Sequence, residues 1–175
     1  LYNDPLERFM DLHLVRETVS TEYAKRAEKL FSLKENPRFG YAYETLGWLC
    51  SVLSLKSDLG LRLREAYKAG DKAALKKAAD DDIPKIIDYL EKFISAYRRQ
   101  WYHENKTFGF IAQEIRLGGL TERMRSVKMR LDDYAEGMTD RIEELETEPL
   151  PYSPDKVGNY HPHIGWRNIL TAGQL

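Results

Sequence analysis

"IPKIIDYLEKFISAYRRQW", residues 83–101, decides the fold. Ile83, Ile86, Ile87, Leu90, Phe93, Ile94, Tyr97 and Trp101 recur in steps of three and four, the spacing of one helix face and not the alternation of a strand. Pro84 removes an amide donor, so a helix restarts or kinks near "DDDIP". A stripe this regular predicts a helix packed against others.

Upstream, Gly70 closes one helix and Asp71 caps the next, with residues 71–80 helical by composition. From Tyr41 to Ala69 the pattern predicts a single helix of ~40 Å at ~1.5 Å per residue. Its apolar band (Leu46, Leu49, Val52, Leu53, Leu59, Leu63) is wide enough for neighbours on more than one side. "ENPRFG" at 35–40 is a break, and a helix precedes it from about Ser20 to Leu33. Asp4 and Pro5 start a short helical turn that ends near Leu12.

Downstream, a long helix begins near Gly109 and reaches the 140s, with a break expected around Gly137. Ile111 and Ile115 mark one stripe; Leu120, Met124, Val127, Leu131, Tyr134 and Met138 mark another. The phase changes at Gly118 and Gly119, where another backbone is expected to come close. After Glu148 the proline-rich, aromatic stretch "PLPYSPDKVGNYHPHIGWRNIL" reads as an irregular tail lying on a surface. The expected fold is all-α, a bundle of about four main helices over 1–148 followed by a 149–175 tail.

Composition excludes several functions. With 27 basic and 28 acidic side chains the net charge is −1, which argues against a nucleic-acid binder. No apolar run of spanning length occurs, so no membrane partner is expected. One cysteine, Cys50, precludes an intrachain disulfide framework and suits a reducing, cytoplasmic setting. It falls within an apolar helical band and reads as a small buried residue.

Chemistry-bearing residues are sparse. Adjacent aspartates at 80–82 and 132–133 point about 100° apart on a helix, so they read as caps or solvated surface and not as an acid/base pair. His161 and His163 have no HExxH or cysteine pair to complete a zinc site, and no metal or cofactor is expected. Arg116, Arg123 and Arg130 recur every seven residues with Arg125 and Lys128 nearby. They make a basic face that could bind an acidic ligand, or pair with Glu122, Asp132, Asp133 and Glu136.

"WYHENKTFGF" at 101–110 concentrates polar and aromatic groups where a helix ends. It reads as a corner between helices, with the Trp101 ring in the core and Phe108 folding back onto the bundle. Glu104 or Asn105 would cap freed backbone groups or pair with Arg116. The other reading is a contact surface.

"LYNDPL" (1–6), "KSDLGLRLREAYKAGD" (56–71), "YRRQWYHENKTFGF" (97–110) and "IRLGGLTERM" (115–124) together resemble the helical C-terminal region of one bacterial subgroup of exo-β-N-acetylhexosaminidases of glycoside hydrolase family 20. "GWRNILTAG" (165–173) extends the resemblance. It implies a parent enzyme whose (β/α)8 barrel removes terminal β-linked N-acetylhexosamine by a substrate-assisted mechanism. The family's catalytic Asp-Glu dipeptide has no counterpart, because no Asp here is followed by Glu. The resemblance therefore implies no catalytic residue in this chain and a junction with the missing barrel at 1–6. The barrel and a possible second copy become the expected partners, with Tyr102, Glu104, Asn105, Phe108 and Arg116 as candidate contacts. The alternative is a free-standing helical module that binds a partner through 101–120 or through Arg116, Arg123 and Arg130.

Overall fold

A computed structural model of the chain describes residues 1–8, 11 and 16–148. The expected tail, with His161 and His163, lies outside the described residues. The helices are α1 (Arg16–Phe31), α2 (Gly40–Lys56), α3 (Leu59–Lys68), α4 (Lys72–Lys77), α5 (Ile83–Glu104), α6 (Phe110–Ala135) and α7 (Glu143–Glu146). Among the described residues there is no strand. The fold is the all-α bundle expected.

α2 and α5 lie side by side, with α1 on the outer flank of α2 and α6 on the outer flank of α5. The stripe that opens the sequence reading points inward: Ile83, Ile86 and Leu90 have no exposure. They meet Leu117, Met124, Val127 and Leu131 of α6 and Val52 of α2 in one cluster. Each such side chain contributes roughly 1.5–3 kcal/mol when removed from water.

Asp71 caps α4 as expected, its carboxylate accepting the Ala74 amide at 2.9 Å. The restart at Pro84 takes the form of a π-helical turn, Ala78–Asp82, leading into α5. That wider turn accommodates a proline that offers no N–H to the ladder. α6 ends at Ala135, short of the 140s expected, and Gly137 just beyond it, at φ +78°, is a left-handed stop.

Four expectations need correction. The single long helix over 41–69 is two helices, parted at Ser57 and Asp58. Arg62 makes the break permanent: its Nη2 donates to the freed Leu55 carbonyl at 3.0 Å, and it also holds Asp58 and Asp82. Among the described residues no backbone approaches Gly118, where a Cβ would meet nothing within 4 Å. Met138 and Ile115, assigned to apolar stripes, are exposed at 76% and 54%. Cys50 is half-buried and not fully enclosed.

Candidate functional site

Two sets of residues stand out around α6: the corner at its start and the N-terminal segment along its flank. The corner begins where α5 runs out. Asn105 turns extended (φ −128°, ψ 169°) while its amide still donates to the Trp101 carbonyl. Gly109 at φ +98° then reverses the chain into α6, a conformation that favours glycine. Trp101 Nε1 donates to the Lys106 carbonyl at 3.0 Å, which pins the loop to α5.

The aromatic that folds back is Phe110 and not Phe108. Phe110 is 1% exposed and lies 5.5, 5.6 and 5.8 Å from the rings of Tyr97, Trp101 and Tyr102. Phe108 is 86% exposed. Trp101 is half-buried at the edge of this stack. The Glu104 carboxylate accepts from Gln100 at 3.1 Å, and its hydrogen bond with the Tyr41 hydroxyl, more than burial, raises that phenol's pKa. Tyr102 remains half exposed, and Ile111 and Ile115 share an open side of α6. Sequence periodicity found those isoleucines but gave no sign that the described residues leave them uncovered.

The basic face is occupied. Arg123 grips Asp4 with Nε to Oδ2 at 2.6 Å and Nη2 to Oδ1 at 3.1 Å. Arg130 reaches Glu143 and Glu144 at 3.0 and 2.9 Å, Arg125 reaches Glu122 and Glu91, and Lys128 reaches Asp132 and Asp80. Arg116 is half-buried and acts electrostatically on Tyr2. Of the partners expected for this face, Glu122 and Asp132 pair with Arg125 and Lys128, but Arg123 and Arg130 take Asp4, Glu143 and Glu144 from distant parts of the chain, and Glu136 goes to Lys76.

Asp4 belongs to a segment, residues 1–8, that is sewn into the bundle. Its Oδ1 caps the Leu6 and Glu7 amides, and Leu6 sits in the core without exposure. Arg8, 1% exposed, donates Nη2 to the carbonyls of Thr147 at 2.7 Å and Glu144 at 3.2 Å, and Nε to Leu6 at 2.9 Å. From α2, buried Lys56 donates to the Asn3 carbonyl. Asn3 Nδ2 donates to Asp11 at 2.9 Å. Gly60 makes the fit possible: a Cβ there would meet Arg8 Cγ and Asp11 Oδ2 at 2.9 Å and the Pro5 carbonyl at 3.1 Å.

Burial governs this cluster's charges. It drags the Lys56 ammonium down to about 8, against the pull of Asp4 and Asp11. It also opposes the Asp4 charge, but the Arg123 contact and the two capping amides prevail and hold that carboxyl below the usual range. Asp11 goes the other way, raised by burial despite Asn3 and Arg8. Sequence reading missed Arg8, Lys56 and Asp11, since no periodicity links residues so far apart in the chain.

Three of the aspartates in the runs at 80–82 and 132–133 are engaged by cations. Asp80 and Asp132 share Lys76 and Lys128, and Asp82 meets Arg62. Burial opposes the Asp132 charge, but Lys128 and Lys76 prevail and hold that carboxyl below the usual range, which is not the setting of a proton donor. Among the described residues no group of three or more His, Cys, Asp or Glu could hold a metal ion, and no helix is long and apolar enough to cross a membrane. What the arrangement can do is hold a protein segment and present a surface.

Residues 1–164 match the family described as Glycoside Hydrolase 20C C-terminal domain. Curated proteins give no match.

Proposed function

Because the chain belongs to the glycoside hydrolase 20C C-terminal domain family, we propose that it is the non-catalytic helical part of an exo-β-N-acetylhexosaminidase. In this reading the parent polypeptide removes terminal β-linked N-acetylhexosamine using a barrel domain that precedes residue 1. The helical domain buttresses that barrel. It contributes no acid, base or nucleophile.

The observation that carries the reading is the N-terminal segment. A flexible linker would be polar, exposed and weakly held. Residues 1–8 instead place Leu6 in the core and tie Asn3, Asp4 and Arg8 to α2, α6 and the carbonyls of Glu144 and Thr147. A domain attached through such a segment inherits a fixed orientation relative to the bundle, which is what a buttress requires.

The test compares three polypeptides on p-nitrophenyl N-acetyl-β-D-glucosaminide. This chain alone should release no nitrophenol, and the parent should release it. The parent truncated just before residue 1 should lose melting temperature and activity. Hydrolysis by the chain alone would sink the reading. So would a truncated parent that keeps full activity and the full melting temperature.

A further inference from the structure

The long apolar side chains left exposed at the start of α6 are not scattered. Phe108, Ile111 and Ile115 are 86%, 67% and 54% exposed. Residues 111 and 115 are one turn apart on the same side of the helix. Tyr102 borders them, half exposed, from the end of α5. The side of α6 that carries Arg116 and Arg123 faces the N-terminal segment. Asp4 already neutralises Arg123 there.

That segment runs in a definite direction. Arg8 binds carbonyls at Glu144 and Thr147, and the Glu144 carboxylate pairs with Arg130 toward the C-terminal end of α6. Asp4 meets Arg123 midway along the helix. Tyr2 comes under the influence of Arg116 and Tyr97, closer to the helix start. Residues 8, 4 and 2 thus climb α6 toward its N-terminus. Tyr2 lies at the level of Arg116, the residue after Ile115, while the Leu1 amine next to it is enclosed near Lys56.

We propose that Phe108, Ile111 and Ile115, bordered by Tyr102, form the face on which the catalytic domain of the same polypeptide docks. The inference rests on the preceding reading, which puts that domain ahead of residue 1. The chain's direction brings the domain to this end of α6, and the apolar side chains there are what it covers. The anchored segment sets the register, and the apolar face excludes water from the seam.

Carbene footprinting of the intact parent tests this, once the parent has been assayed on p-nitrophenyl N-acetyl-β-D-glucosaminide. Phe108, Ile111 and Ile115 should label several-fold less than in the same protein unfolded in urea, approaching buried Phe110, and dilution should not change this. An active parent in which they label as freely as Met138 would overturn the docking face and leave the functional reading intact. Protection that fades on dilution as the particle mass halves would assign the face to a second copy. Protection that disappears when 149–175 is deleted would assign it to the tail. Either result overturns the proposal. A parent that hydrolyses nothing removes the functional reading and the docking face with it.

Discussion

The two sides of α6 reverse the usual distribution of side chains. On the side of the N-terminal segment, charged groups are enclosed: Arg8, Asp11 and Lys56 are 1%, 6% and 4% exposed. On the other side, at the helix start, isoleucine and phenylalanine face outward. Buried charge is weak evidence for stability, since desolvation offsets most of what pairing contributes, but it discriminates strongly between correct and incorrect docking. Exposed apolar surface does the opposite, offering adhesion with little orientation. Together they describe a junction in which one side sets the geometry and the other supplies contact area.

The largest effect should come from cutting the polar side. Arg8→Ala removes a buried side chain and the charged donor to the Glu144 and Thr147 carbonyls, and hydrogen bonds to charged groups contribute about 1.5–3 kcal/mol. A loss of about 3 kcal/mol, read by urea unfolding, is expected, with unfolding beginning at residues 1–8 and α7 in hydrogen exchange. A variant as stable as the parent chain would show that the enclosed charges do not fasten this segment.

Lys56 gives the next effect, visible in pH. Its folded pKa of about 8 lies below the ordinary lysine value, so the unfolded chain binds more protons between them and stability rises with pH across that window. The contribution should reach about 2 kcal/mol by pH 10, since each pKa unit is worth about 1.4 kcal/mol. Lys56→Met should lack that rise. Parallel stability profiles from pH 8 to 10 would show that Lys56 is not enclosed as described. Tyr2, whose hydroxyl burial keeps neutral, works against the fold only at more alkaline pH.

Gly60→Ala should cost roughly 1–3 kcal/mol, the range for forcing a methyl into packed space. The new Cβ meets Arg8 and Asp11, and the Pro5 backbone cannot yield cheaply. A neutral result by thermal melting would mean that the segment shifts without penalty. Smallest of all, Ile115→Glu should change the stability of this chain by less than about 0.5 kcal/mol, as surface substitutions do. A large loss would show that Ile115 packs within the bundle and would erase the contrast between the two sides.

Much of the fold was legible because α5 obeys its own periodicity: Ile83, Ile86, Leu90 and Phe93 are buried as their spacing predicts. Local chemistry also served where it acts locally, as at Asp71 and at the restart near Pro84. The break between α2 and α3 was not legible. The apolar band runs on through Ser57, and what parts the helices is a contact of Arg62 with Asp82, twenty residues away in sequence. Phe108 and Phe110 were indistinguishable for a related reason. They lie two residues apart, and the left-handed Gly109 between them determines which one turns inward. The candidate contacts at the corner came mainly from the resemblance, and the anchored segment beneath it emerged only in three dimensions.

The course of the N-terminal segment along α6 has a mechanical consequence. A pull on residue 1 along the helix axis would load the Asp4–Arg123 pair, the Lys56–Asn3 bond and the Arg8 contacts together, in shear. A pull across the axis would load them one at a time, as in peeling. Bonds that share a load resist far more force than bonds broken in succession, so the joint should be stiff along the bundle and comparatively compliant across it.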